Sequence, residues 1–262
     1  MSERAPPTSG RPSGDVTLRM EGLTKSFRGF TAVNNLTLEV MRGSIHALIG
    51  PNGAGKTTVF NLATKFLQPT GGRIYFNGQN ITATPPEAVA RMGMVRSFQI
   101  SAVFAQLTVL ENVRIALQRS RRDNYFFWRS EKSLDDMNGR AMELLAEVGL
   151  QDFAKYRAIE LSYGRRRVLE IATTLALDPE LLLLDEPMSG LGQEDVGRIA
   201  DLIRRVAAAR TVLMVEHNLS VVADLSHRIT VLARGEVLAD GTYTELVKNP
   251  AVIEAYLGTD HG

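Results

Sequence analysis

Gly50-Pro51-Asn52-Gly53-Ala54-Gly55-Lys56-Thr57-Thr58 follows the apolar run Ile45-His46-Ala47-Leu48-Ile49 and leads into Val59-Phe60-Asn61-Leu62. A strand, a glycine-rich turn and a helix start are the context in which G-x-x-x-x-G-K-[ST] binds phosphate. Glycines let successive backbone N–H groups turn inward on a phosphate, and the helix N-terminus adds its partial positive charge. Lys56 is expected to reach the β- and γ-phosphates, and the Thr57 hydroxyl to ligate Mg²⁺. The alternative, a Gly/Pro turn with an incidental lysine, leaves the flanking strand and helix unexplained.

The bulk properties set outer bounds. A chain of 262 residues, 44% apolar, suits one large α/β domain or one domain with an insertion. A formal net charge of +1 argues against nucleic acid as the main partner. The absence of cysteine excludes disulfides and Cys-ligated zinc. Residues 1–14 are polar and rich in Pro, Ser and Gly, without the apolar core of a signal peptide, and read as a disordered leader. No apolar run approaches the roughly 18 residues that a membrane span needs, so a membrane role is expected to come through a partner.

Outward from the phosphate loop, alternation predicts paired strands at Val16–Met20 and Leu36–Val40. Gly71-Gly72 opens a short strand from Arg73 to Phe76, closed by the turn signal Asn77-Gly78. Pro85-Pro86-Glu87 begins a short helix, with proline where a first turn tolerates it. Residues 108–121 and 137–150 have helical spacing, with Leu110, Val113 and Leu117 on one face, and Met142, Leu145 and Val148 on another. Between them lies an irregular aromatic and basic segment, Arg119 to Lys132. A further helical run spans Val168 to Leu177, and strand signals return at Leu181–Leu184 and Val212–Val215. The expected arrangement is an α/β core interrupted by a mostly helical insertion, with no internal repeat.

Leu181-Leu182-Leu183-Leu184-Asp185-Glu186-Pro187 is an apolar strand ending in two carboxylates. Beside a phosphate loop, Asp185 suits holding Mg²⁺ through water. Glu186 points elsewhere, towards an attacking water. A strand end solvated by acidic residues is the plainer reading, and the phosphate loop disfavours it. Leu161-Ser162-Tyr163-Gly164-Arg165 precedes a helix with apolar Leu169, Ile171, Ala172 and Leu175; Ser162 reads as its N-cap.

The phosphate loop, Ser97-Phe98-Gln99, LSYGR, LLLLDEP and Val215-Glu216-His217, in this order, resemble the ATP-binding subunit of an ABC transporter from about Leu18 to about Leu257. The resemblance implies a P-loop NTPase cassette: a RecA-like core, an antiparallel β subdomain, and a helical subdomain at about residues 100–178 within a domain of residues 15–262. It implies ATP contacts at Phe27 (stacking on adenine), Val33, Asn52, Gly53, Ala54, Gly55, Lys56, Thr57 and Thr58. Metal contacts would fall to Thr57, Gln99 and Asp185. For Phe27, a core phenylalanine near a strand end is the competing reading. Glu186, His217, Gln99 and Lys56 take the catalytic roles, and Ser162 and Gly164 bind the γ-phosphate of ATP held by a second cassette. The implied partners are that second cassette, two membrane permease subunits and, indirectly, a solute-binding protein, with the chain on the cytoplasmic face of the inner membrane.

Two departures stand out. The signature usually reads LSGGQ, and here Tyr163 and Arg165 replace its third and fifth residues. Ser189-Gly190-Leu191-Gly192 places glycine where the family often has an aspartate or asparagine, which leaves room for asymmetric sites. LSYG, Thr31–Asn35, Ser97–Ile100, Leu107–Val113 and Val252–Gly258 resemble the ATPases of branched-chain (hydrophobic) amino-acid uptake systems. Relatives that move urea or amides, lipid or polysaccharide exporters and soluble non-transport ATPases remain the alternatives. The segment Asn124-Tyr125-Phe126-Phe127-Trp128-Arg129 is a partly packed surface loop or an aid to permease docking.

Overall fold

A computed structural model describes residues 15–97, 103–120 and 131–257. The alternating patterns at the start of the chain form β1 (Val16–Phe27) and β2 (Phe30–Met41), paired antiparallel with Leu18 opposite Val40 and Met20 opposite Leu38. Both strands run well past the expected segments. β3 (Ile45–Ile49) is buried at all five residues and feeds α1 (Lys56–Ala63). β4 (Gly71–Phe76) pairs with β1, and Asn77-Gly78 turns it into β5 (Gln79–Asn80). Both turn residues have positive φ, 49° and 75°, as the tight Asn-Gly hairpin turn requires. α2 (Pro86–Arg91) starts directly after Pro85, and β6 (Met94–Arg96) follows.

Among the described residues three α-helices lie between β6 and β7: α3 (Val109–Ser120), α4 (Glu131–Val148) and α5 (Tyr163–Leu175). α4 begins earlier than its predicted segment. Its buried stripe is Met137, Ala141, Leu144, Leu145 and Val148, while Met142 is exposed. The Met142, Leu145, Val148 face steps by three only, whereas a 3.6-residue period alternates steps of three and four. α5 begins at Tyr163, five residues before the expected Val168, because Ser162 already supplies its cap.

The chain then alternates through β7 (Leu181–Asp185), α6 (Gln193–Ala207), β8 (Thr211–Val215), α7 (Leu219–Leu225), β9 (Arg228–Ala233), β10 (Glu236–Gly241), α8 (Tyr243–Leu246) and α9 (Pro250–Leu257). β2-β1-β4-β5 form one antiparallel sheet, and β10-β9-β3-β8-β7-β6 form the second, parallel except for β10. The central strands read as unbroken apolar runs because both faces are covered. Leu182, Leu184, Val212 and Met214 pack among the helices of one face, with Val113, Leu145, Leu169 and Ile203. Leu181, Leu183, Leu213 and Val215 face the other layer, with Phe60 of α1 and Met20, Val40 and Ile74 of the antiparallel sheet.

The parallel register decides where the chemistry falls. Leu48 lies opposite Val215, and Val215 opposite Asp185, so β3, β8 and β7 end at one level. Deep in β3, His46 has no exposed surface, and its Nε2 lies 2.8 Å from the Thr230 hydroxyl. Burial lowers its pKa to about 4; Asp240 opposes that shift and Arg228 adds to it. An unfolded histidine takes up a proton below about pH 6.5, whereas the folded one stays neutral down to about 4, so stability falls as pH drops through that window. We predict a thermal midpoint that declines between pH 6.5 and 4, with a flatter decline in His46→Gln. Equal slopes for the two proteins would remove His46 as a cause.

Candidate active site

The phosphate loop presents an open helix N-terminus. Gly55 is the N-cap of α1 with φ of 100°, and no acidic side chain occupies the first turn. A Cβ on Gly55 would stand 2.7 Å from the Ala32 carbonyl oxygen, so only glycine lets the loop press this closely on β2. Asn52, Gly53 and Thr57 are exposed and Thr58 is half-buried. Ala54 and Val33 are buried, so they support the loop from beneath. Lys56 curls over the loop and donates to the carbonyls of Gly50 at 2.6 Å and Pro51 at 2.9 Å. Partial burial lowers its pKa, and the nearby Glu186 carboxylate opposes the shift.

Phe27 is 44% exposed and sits opposite Phe30 in the β1–β2 hairpin, with the Lys25 ammonium 5.1 Å from its ring centroid. It is a surface ring, not a core phenylalanine.

Asp185 is buried at the end of β7 and ion-paired with Arg96 of β6. Arg96 also donates to Asn61 Oδ1 at 2.6 Å. Glu186 adopts the left-handed conformation, φ 46°, which costs of order 1–3 kcal/mol for a non-glycine residue. Three backbone contacts hold it there. Its N–H donates to the Val215 carbonyl at 3.0 Å, and its carbonyl accepts from the Arg167 guanidinium at 3.0 Å and from the Ser189 N–H at 3.1 Å. Arg167 is itself anchored on Glu170 at 2.7 Å. The reversal sends the adjacent carboxylates in different directions, one to Arg96 and one toward Lys56.

His217 is exposed immediately beyond β8, and its N–H donates to Glu216 Oε2 at 3.0 Å. The register therefore gathers Lys56, Asp185, Glu186 and His217 at the C-terminal ends of three adjacent strands. Ser162 and Gly164 are not joined to the phosphate loop by any hydrogen bond among the described residues. The Ser162 hydroxyl caps α5 by accepting from Arg165 N–H at 3.4 Å. A Cβ on Gly164 would fall 2.3 Å from the Asp195 carboxyl carbon, so a side chain there would have to displace that carboxylate. Tyr163 donates from its hydroxyl to the Ser189 carbonyl at 3.4 Å, and the Arg165 guanidinium lies 4.2 Å from the Phe153 ring centroid. Gly192 serves as the N-cap of α6. Gln99 and the segment Asn124–Arg129 lie outside the described residues.

Sequence reasoning gave no role to Arg96, Arg167 or Glu216, all of which hold the site's backbone or carboxylates. The one signal was a charged side chain set next to, or within, an apolar or motif segment. Thr57 and Asp185 offer one hydroxyl and one carboxylate beside a phosphate loop. That donor set fits Mg²⁺, which keeps several waters and binds through one or two carboxylates plus substrate phosphates. No cluster of three or more His, Cys, Asp or Glu able to cage a metal occurs among the described residues.

Residues 33–189 match the ABC transporter family, and residues 236–262 match the branched-chain amino acid ATP-binding cassette transporter family. The high-affinity branched-chain amino acid transport ATP-binding protein BraF of Pseudomonas aeruginosa is 41% identical, over 92% of this chain and 97% of that protein. The ADP conformation of an ATP-binding cassette of an ABC transporter has a TM-score of 0.82 at 30% identity, covering 93% of this chain and 99% of its own. A dimeric cassette in a post-hydrolysis state, bound to ADP and Pi, has a TM-score of 0.74 at 26% identity, covering 86% and 98%. The phosphate loop, the strand-end carboxylates and the signature helix thus lie on a known scaffold, and this chain belongs to the ATP-binding cassettes of the ABC transporter family.

Proposed function

We propose that this cassette powers uptake of branched-chain or other hydrophobic amino acids through separate permease subunits. The observation that carries the substrate class is the 41% identity to BraF along nearly the whole of both chains. The match of residues 236–262 to the branched-chain cassette family supports it independently.

ATP would bind with its phosphates on the α1 N-terminus and its adenine against Phe27. Thr57 and Asp185 would hold Mg²⁺, which would supply neutralisation of phosphate charge. Lys56 leaves the Gly50 and Pro51 carbonyls for the β- and γ-phosphate oxygens, exchanging neutral acceptors for a charged one. Glu186 takes a proton from the water as it attacks the γ-phosphorus in line, the bond to the β,γ-bridging oxygen breaks so that ADP leaves with that oxygen, and His217 stabilises the charge that develops. Ser162 and Gly164 would supply the second half of the site to ATP held by a partner cassette, since an anion is favoured at the start of α5. The dimeric relative bound to ADP and Pi supports this pairing.

No helix among the described residues is long and apolar enough to cross a membrane. Coupling to permeases would therefore run through a surface. Phe104, Tyr156 and Ile159 are all exposed and sit on segments joined by the Ile159 N–H to Ala105 carbonyl bond at 3.0 Å. Such an apolar patch suits a permease on the cytoplasmic face of the inner membrane.

Lys56→Ala is expected to weaken ATP binding about tenfold or more, because it removes a charge-assisted contact of roughly 1.5–3 kcal/mol. An unchanged titration would count against the phosphate-loop role. Glu186→Gln is expected to bind ATP normally and to hydrolyse it about a hundredfold more slowly or worse. Wild-type turnover in the reconstituted transporter would refute the general-base role. For the substrate, the cognate solute-binding protein titrated with leucine, isoleucine, valine, urea and short amides should bind the amino acids. Selective binding of urea or amides would redirect the assignment.

A further inference from the structure

Glu216 is fully buried one residue past β8, and the contacts of its carboxylate are all to backbone amides. Oε1 accepts from the Met188 N–H at 2.9 Å. Oε2 accepts from the His217 N–H at 3.0 Å and the Asn218 N–H at 3.3 Å. Met188 lies two residues beyond Glu186, and His217 is the residue proposed above to stabilise the γ-phosphate. One side chain therefore spans the two loops that carry the hydrolytic groups. The Val215 carbonyl, just before it, already accepts the Glu186 N–H at 3.0 Å.

We propose that Glu216 is a positioning residue for ATP hydrolysis, fixing the His217 loop and the loop after Glu186 in one relative placement. The inference rests on the reading of Glu186 and His217 given above. Glutamate is suited to it because both oxygens accept. A glutamine of the same size would turn its NH₂ toward one of the amide N–H groups and leave that buried donor unsatisfied. Asn218 extends the clamp, since its side chain caps α7 by accepting from Val221 N–H at 3.3 Å and so anchors the loop's far end. Among the described residues no hydrogen bond joins the Glu216 carboxylate to α1 or the phosphate loop, so its loss should spare ATP affinity and act on turnover. A misplacement of about 1 Å can cost a reacting site about a hundredfold.

The test is a double-mutant cycle in the reconstituted transporter, with kcat and the KM for ATP measured for wild type, Glu216→Gln, His217→Ala and the pair. Glu216→Gln should lower kcat about tenfold or more while KM stays within about twofold. In the His217→Ala background the same substitution should cost less than in wild type, because one of the two groups it places is gone. If His217→Ala lowers turnover but Glu216→Gln does not, or the two losses multiply, Glu216 has no positioning role and the reading of His217 stands. If His217→Ala itself leaves turnover unchanged, that reading fails and the proposal with it. Should Glu216→Gln not fold, Glu216→Asp keeps both oxygens on a shorter arm and should show the same kcat loss at steady KM. Hydrogen exchange on the unmodified protein adds a second readout. The Met188, His217 and Asn218 amides should be protected together, and exchange at open-loop rates would overturn the clamp.

Discussion

The in-register parallel ladder of β3, β8 and β7 is the constraint from which the site follows. Leu48, Val215 and Asp185 stand side by side, so the next residues of all three strands emerge at one edge of the sheet. The phosphate loop, the left-handed Glu186 and the Glu216-His217 pair are successive continuations of that edge. A one-residue slip of β7 would exchange the two packed faces of Leu181–Leu184 and carry Asp185 out of line. Burial of these strands on both faces is what prevents the slip, so the core and the chemistry are specified by the same residues.

At that edge the charges are partnered within the chain. Lys56 rests on two carbonyls of its own loop, and Asp185 on Arg96. Leaving such groups buried and unpaired would be expensive, and a nucleotide must therefore compete with partners already in place. Arg167 and Glu216 act differently, on the backbone rather than on ligand-facing atoms. Between them they hold the carbonyl of Glu186 and the amides of Met188, His217 and Asn218, which offsets the strain of a glutamate at φ 46°.

Much of this was legible in the sequence for physical reasons. The phosphate loop needs glycine where its backbone approaches Ala32, and the buried strands need unbroken apolar runs, so both are visible residue by residue. Ser162 was recognisable as a cap because side-chain acceptors at helix starts are local. The buried face of α4 was misjudged at Met142, because a stripe read in steps of three drifts off the true face. α5 began earlier than its apolar pattern, since a cap and not a periodicity sets its start. Arg96, Arg167 and Glu216 were opaque. Arg96 meets Asp185 across 89 residues, Arg167 the Asp185 and Glu186 carbonyls across 18 and 19, and Glu216 the Met188 N–H across 28, and only the register brings these pairs together.

On the proposed function, this strand edge is half of an ATP site completed by the signature helix of a second cassette. A structure of the Glu186→Gln protein with ATP and Mg²⁺ tests it most directly. The expected result is a closed pair of cassettes, the γ-phosphate within hydrogen-bond reach of Lys56 and His217 of one chain and of Ser162 and Gly164 of the other. ATP bound with no second chain at the phosphate, or with His217 turned away from it, would rule out a site shared between two cassettes.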